Sequence, residues 1–235
     1  MSVASLLADL HLTAPLVEPS LLACDFAHLA DEIRRAEDAG AKILHLDVMD
    51  GHFVPNLSFG LPVVEAIRRT TQLPLDVHLM ISEPGRYAKA FRDAGADLIT
   101  FHIEAVPQPA PLLEEIRAMG AGAGITLNPP TPVSEIEECL PLCDLVLVMG
   151  VMAGFGGQQF DPMALDKLRR IRQLVPKETL LSVDGGIDYD TIGPCAAAGA
   201  NLFVTGTALF SQDDYGPFIG EMTGLAKSHR DVRVS

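Results

Sequence analysis

Short apolar runs alternate with longer segments of helical periodicity along almost the whole chain. Val17–Leu21, Ile43–Val48, Leu73–Leu79, Leu98–Phe101, Ile125–Leu127, Leu145–Met149, Leu180–Val183 and Leu202–Val204 are each short and apolar, as strands buried on both faces require. Asp25–Asp38, Glu83–Asp93, Ala110–Met119, Met163–Leu174 and Asp188–Ala198 carry the spacing of amphipathic helices. Ala-Gly-Ala recurs where a helix gives way to a strand, at 39–41, 94–96 and 198–200, with Met119-Gly120-Ala121 as a looser copy. A glycine there suits the left-handed residue that ends a helix. Pro19 predicts a short or irregular first strand.

Strands alternating with helices predict an α/β fold with a parallel sheet. Eight such units predict a closed (β/α)8 TIM barrel, because closure removes both sheet edges. No Gly-x-Gly-x-x-Gly follows the first strand, which counts against a dinucleotide-binding sheet. The 235 residues fit one domain: residues 16–235 as the barrel, residues 1–15 as an N-terminal extension of one or two helical turns. That extension holds Asp9 and no Lys or Arg, unlike a secretory or organelle leader.

Composition narrows the partners. A net charge of −14 argues against nucleic acid and anionic membranes, and no apolar run reaches membrane-span length. The spacing of Cys24, Cys139, Cys143 and Cys195 suits neither a disulfide framework nor a structural zinc site, so four reduced thiols and a cytoplasmic location are expected.

Barrel chemistry sits at the C-terminal ends of strands. The second strand ends His45-Leu46-Asp47, whose His and Asp share one face; the third ends Asp76-Val77-His78; the seventh ends Ser182-Val183-Asp184. Any one of these has a plainer reading: a hydrogen-bonded core histidine, or an aspartate capping a helix. Together, His45, Asp47, His78 and Asp184 bring two imidazoles and two carboxylates to neighbouring strand ends, where burial needs pairing or a metal. That set suits one divalent ion, with Zn the first expectation and Fe, Mn or Co also compatible. Asp76 and His102 read as structural hydrogen-bonding residues. Met49, Met80 and Met149, also at strand ends, read as pocket walls that shield a reacting carbon without adding ligands.

Three glycine loops close the last strands: Gly154-Phe155-Gly156-Gly157, Asp184-Gly185-Gly186 and Gly206-Thr207. None contains Lys or Arg. Backbone N–H groups in such loops bind phosphate without basic side chains, which reconciles an acidic protein with an anionic ligand. Gly156, Gly157, Gly186, Gly206 and Thr207 are the expected donors.

With these residues in place, the chain resembles the ribulose-phosphate 3-epimerase family. Pro19-Ser20-Leu21-Leu22, Leu46-Asp47-Val48-Met49-Asp50-Gly51-His52-Phe53-Val54-Pro55-Asn56, Leu75-Asp76-Val77-His78-Leu79-Met80, Gly154-Phe155-Gly156-Gly157-Gln158 and Val183-Asp184-Gly185-Gly186 carry the likeness, which runs from about Leu16 to Phe210. The resemblance implies interconversion of D-ribulose 5-phosphate and D-xylulose 5-phosphate by inversion at C3. It implies His45, Asp47, His78 and Asp184 as metal ligands, and Asp47 and Asp184 as the acid/base pair. Ser20, His78, Gly154 to Gly157, Asp184 to Gly186, Gly206 and Thr207 would contact substrate. The expected partner is a small ketose phosphate, and the protein is expected to be a homo-oligomer. The pattern departs at Gly150, Met152 and Ala153, where the family usually has a serine, a polar residue and a proline. A 3-epimerase of another ketose phosphate, such as a hexulose 6-phosphate, therefore stands as the alternative. A metal-free lyase or isomerase and a non-catalytic sugar-phosphate-binding barrel are further alternatives, but they leave the imidazoles and carboxylates without a role.

Overall fold

The computed structural model describes residues 2–231. Eight strands, β1 (Leu16–Pro19), β2 (Leu44–Met49), β3 (Leu75–Met80), β4 (Leu98–His102), β5 (Gly122–Leu127), β6 (Leu145–Met149), β7 (Leu180–Asp184) and β8 (Leu202–Thr205), form one sheet in the order β1-β8-β7-β6-β5-β4-β3-β2. Every pairing is parallel, and a parallel bridge between Ser20 and His45 joins the two ends of the sheet. The result is the expected (β/α)8 barrel.

Helices alternate with the strands: α1 (Val3–Thr13), α2 (Leu29–Asp38), α3 (Leu61–Thr70), α4 (Pro84–Ala94), α5 (Ala110–Ala118), α6 (Met163–Leu174), α7 (Ile192–Ala198), α8 (Thr207–Phe210) and α9 (Tyr215–Asp231). The Ala-Gly-Ala reading holds at the helix ends. Gly95 and Gly199 cap α4 and α7 with φ of 118° and 113°, a conformation that costs glycine nothing. Three details differ from the apolar pattern. The first strand stops at Pro19, and Leu21–Ala23 is a tight helical turn. β5 starts at Gly122, three residues before its apolar run, because Gly122 and Gly124 carry no hydrophobic signal. A Cβ at Gly124 would lie 2.2 Å from Thr100 Oγ1, so the glycine makes room for that threonine inside the barrel. Helix α3 was not among the predicted helices; Pro62 in its first turn and Val63-Val64 blur the helical signal while fitting it.

The barrel interior is graded from apolar to polar. At the N-terminal end, Leu16, Ile43, Leu98, Leu145, Leu147, Leu180 and Leu202 cluster with Leu6 and Leu10 of α1. Helix α1, longer than the one or two turns expected, thus forms a floor under the barrel. Above that floor the interior turns polar: Glu18, His45, Asp76, Thr100, Thr126 and Ser182 are fully buried. The larger apolar core lies outside the strands, where Leu46, Val77, Phe101, Val146 and Val183 meet the helices.

If α1 seals the floor, Leu10→Ala should cost about 2–5 kcal/mol, as buried leucine truncations do. Leu10 is 1% exposed, whereas Leu12 on the same helix is 81% exposed. Leu12→Ala should stay within about 0.5 kcal/mol of the parent. Denaturant unfolding with an unchanged m-value measures both, and equal effects would refute the floor.

Candidate metal and substrate site

The strand register brings the four separated residues together. His45 pairs with Asp76 across β2 and β3, and Asp47 with His78, so all four side chains project into the barrel from adjacent strands. Asp184 closes the ring from the end of β7. One ligand atom from each of His45, Asp47, His78 and Asp184 lies within 4.8 Å of the others. His45 Nε2 is 3.3 Å from Asp47 Oδ1 and 3.4 Å from His78 Nδ1. His78 Nδ1 is 3.1 Å from Asp47 Oδ1 and 4.0 Å from Asp184 Oδ2. Four ligands at about 2.0–2.1 Å around a tetrahedral ion stand roughly 3.3–3.4 Å apart, so the donor set fits a small divalent cation.

The surroundings polarise these groups. Burial lowers the His45 pKa, but the charge and hydrogen bond of Asp47, with Asp76 and Glu18, outweigh it and hold the imidazole well above its ordinary value. Burial raises Asp47, yet His45 and His78 drive it far below the usual carboxylate range. Burial and the charge of Asp47 together push Asp184 up to about 6. The two carboxylates are therefore electrostatically unlike. Ser20 Oγ donates to Asp47 Oδ2 at 2.6 Å.

Above the cluster opens a cavity of about 530 Å³, within the range of small-ligand sites. Ser20, Asp47, Met49, Met80, Met149, Gly154, Phe155, Gly156, Gly157, Asp184, Gly185, Gly186, Gly206 and Thr207 all line it. His45 and His78 lie fully buried beneath its floor. No Lys or Arg lines it among the described residues. Gly157, Gly185 and Gly186 have positive φ, and a Cβ at Gly186 would lie 2.7 Å from the Phe160 nitrogen. Met49 and Met80 join Val54, Phe53, Leu22 and Ala153 in an apolar wall at the mouth.

The long signature after β2 builds the rim. Asp50 accepts from the N–H groups of His52 and Phe53 through Oδ1 and of Ser82 through Oδ2. These bonds outweigh partial burial and lower its pKa to about 2. Asn56 then donates to the Gly154 carbonyl at 2.8 Å, tying this loop to the glycine loop after β6.

Sequence reading gave His102 and Asp76 hydrogen-bonding roles but missed Glu18, Glu104, Asn128 and Lys167 around them. His102 Nε2 lies 2.9 Å from His78 Nε2, and His102 Nδ1 lies 3.2 Å from Glu104 Oε2. Glu104 Oε1 accepts from Asn128 N and Thr131 Oγ1. Lys167 Nζ caps the same loop through the carbonyls of Asn128, Pro129 and Thr131. Asp76 Oδ2 lies 3.2 Å from His45 Nδ1, the hydrogen-bonding role expected of it. Glu18, 3.7 Å from that same Nδ1, has no hydrogen-bond partner among the described residues; burial and the neighbouring Asp76 raise its pKa to about 7. A charged residue within an apolar run was the available signal for Glu18. At the departing loop, Ala153 supplies an N–H where the family pattern has proline, and it donates to Asn128 Oδ1 at 3.0 Å. All four cysteines are free and buried, and no helix among the described residues is long and apolar enough to cross a membrane.

Comparison with known proteins places the chain in a family. The Ribulose-phosphate 3 epimerase family model matches residues 16–210. The chain is 49% identical over 203 residues to the ribulose-phosphate 3-epimerase of Mycobacterium tuberculosis, covering 85% of this chain and 88% of that one. It is 47% identical to the Bacillus subtilis enzyme over 88% of this chain and 98% of the other, and 44% identical to the Escherichia coli enzyme over 90% and 96%. Among solved structures, orotidine 5'-phosphate decarboxylase from Pyrococcus horikoshii superposes with a TM-score of 0.68 at 11% identity, covering 90% of this chain and 99% of the other. A mutant tryptophan synthase alpha-subunit from Pyrococcus furiosus gives 0.66 at 18%, covering 94% and 99%. These two likenesses concern the fold alone. With a family match across the barrel and identities of 44–49% over most of its length, the chain belongs to the ribulose-phosphate 3-epimerase family.

Proposed function

We propose that the protein interconverts D-ribulose 5-phosphate and D-xylulose 5-phosphate by inversion at C3, using one divalent ion, with zinc the best-suited, held by His45, Asp47, His78 and Asp184. The observation that carries this reading is the convergence of those four ligand atoms, with near-tetrahedral spacing, directly beneath a sugar-sized cavity. When bound, the ion would supply electrostatic stabilisation of negative charge on the C2 and C3 oxygens of the substrate. The chain's own residues do the rest. Asp47 and Asp184 remove the C3 proton from one face and return one to the other, since a single carboxylate cannot readily reach both faces of a planar intermediate. Ser20 orients Asp47 through its hydrogen bond. Met49, Met80 and Met149 keep water from the reacting carbon. The phosphate rests on backbone amides of Gly156, Gly157, Gly186, Gly206 and Thr207. Met152 and Ala153 also line the cavity, so hexulose 6-phosphates are the substrates to test beside the pentuloses.

A coupled assay on ribulose 5-phosphate, with and without chelator and reconstituting zinc, tests the function. Turnover lost to chelator and restored by the ion is expected; turnover indifferent to chelation would remove the metal from the reaction. Metal-loaded Asp184→Asn should lose at least about 10²-fold in turnover, the lower end for a positioned acid or base. It should still exchange the C3 proton of one epimer with solvent, and near-normal epimerisation by that protein would overturn the two-carboxylate assignment.

Metal uptake should also release protons. Without the ion, His45 sits well above its ordinary pKa and Asp184 near 6, so at neutral pH the ion displaces the His45 proton. Affinity should rise with pH through neutrality and fall as the pH drops. Calorimetric titration of zinc in buffers of different ionisation enthalpy counts the protons, and a count of zero at pH 7 would contradict this charge state.

A further inference from the structure

A histidine can ligate a metal only through a ring nitrogen that carries no proton, and the hydrogen bond at its other nitrogen decides which one that is. His45 meets this condition directly. Its Nδ1 faces the Asp76 carboxylate at 3.2 Å, so Nδ1 keeps its proton and Nε2 is the nitrogen that gives one up to the ion. The carboxylate that His78 meets, Asp47 Oδ1 at 3.1 Å, lies on the cluster side at Nδ1, and none lies at Nε2. Its Nδ1 points into the cluster, and its Nε2 faces another imidazole, His102 Nε2, at 2.9 Å. Two imidazole nitrogens at this separation share one proton, and either ring can hold it. If His102 holds it, His78 must carry its own proton on Nδ1, which blocks the metal.

The far side of His102 decides the matter. His102 Nδ1 lies 3.2 Å from Glu104 Oε2 and 3.3 Å from the Asn128 side-chain nitrogen. The Asn128 amide is oriented by Ala153 N–H, which donates to Oδ1. Glu104 is an anion: burial raises its pKa, but hydrogen bonds from His102, Thr131 and Asn128 N bring it to about 2. The Asn128 NH₂ is a competing neutral donor to Nδ1, but a carboxylate only accepts, and the charge-assisted bond to Glu104, about twice as strong as a neutral one, places the proton on His102 Nδ1. A neutral imidazole carries one proton on one of its two nitrogens. His102 Nε2 is then an acceptor, His78 Nε2–H donates to it, and His78 Nδ1 is left free.

Resting on the metal reading of the four-residue cluster, we propose that Glu104 is a positioning residue that acts through His102 to hold His78 in its metal-binding tautomer. The hydrogen bonds around Glu104 make Glu104→Gln a sharp probe. Oε1 accepts two donors, Asn128 N at 2.8 Å and Thr131 Oγ1, while Oε2 alone faces His102. A glutamine keeps its oxygen on the side with two donors and turns its NH₂ toward His102 Nδ1. That nitrogen must then accept, the His102 proton moves to Nε2, and His78 is driven to the Nδ1–H form. The substitution changes one atom and no volume, yet reverses the proton order along two rings.

Two measurements test this. Zinc affinity by chelator competition should weaken about 10–100-fold in Glu104→Gln, the usual cost of losing a ligand's outer hydrogen bond. The thermal midpoint of the metal-free variant should stay close to the parent's. A zinc affinity within twofold of the parent would overturn the proposal, as would a loss of stability with no loss of affinity. Long-range ¹H–¹⁵N spectra of the histidine-labelled parent, zinc-loaded and chelator-stripped near pH 8, read the tautomers directly and do not require the variant to fold. They should show His102 protonated at Nδ1 in both states and His78 protonated at Nε2. His102 protonated at Nε2 would overturn the proposal. If the parent takes up no zinc while its rings show the stated tautomers, the relay stands and the metal-dependent epimerase reading falls.

Discussion

Four ionisable side chains share one small volume at the mouth of this barrel. The side chains of His45 and His78 are fully buried, Asp47 is 5% exposed and Asp184 18%. None could stay charged there alone, because burial without a partner costs an ionised group several kcal/mol. Each is tolerable because the others neutralise it, as the proposed cation would further do. The two histidine–carboxylate registers of β2 and β3 meet that constraint, and much of the surrounding structure serves to maintain it. Asp76 and Glu104 stand behind the two imidazoles, Ser20 stands behind Asp47, and the strand ends carry little else that could compete for the ion.

The same constraint orders the barrel from floor to rim. A polar interior layer needs a dry base, and leucines from five strands, with Ile43 and helix α1, provide it. It also needs a rigid mouth. The loop after β2 is pinned by Asp50 and tied through Asn56 to Gly154, while the loop after β5 is held by Lys167 and linked through Asn128 to Ala153. The glycine loop is thus fastened at two adjacent residues, Ala153 and Gly154, to elements that also carry or support cluster residues. Substrate fit and ligand geometry are mechanically connected through Asn56 and Asn128.

The fold and the cluster were legible in the sequence, as were Asp76 and His102, and the rest of the support was not, for a physical reason. Strands buried on both faces leave continuous apolar runs, so a histidine or aspartate inside one stands out, and a two-residue spacing places such groups on the same face. His45, Asp47, His78 and Asp184 declare themselves in this way. Asn128, Glu104 and Lys167 act through contacts spanning 24 to 39 residues, from loops and a helix where polar residues are ordinary. Glu18 was visible as a charge in an apolar run but was read only as strand. β5 and α3 were blurred because their glycines and proline, which the tertiary structure requires, are the residues that weaken local propensity.

The acidity of the chain takes on meaning at the cavity. With a net charge of −14, the protein as a whole repels a phosphate ester, and no basic side chain lines the site to offset this. On the proposed reading the attraction comes from oriented amides at the loop ends and from the cation below, both short-ranged in salt water. A ligand held this way is selected by where its phosphate stands relative to its reacting carbon: the glycine loops fix one end and the metal cluster the other. Chain length between carbonyl and phosphate is then what the cavity measures, which is why the altered residues at Met152 and Ala153 bear on substrate choice while leaving the reacting centre untouched.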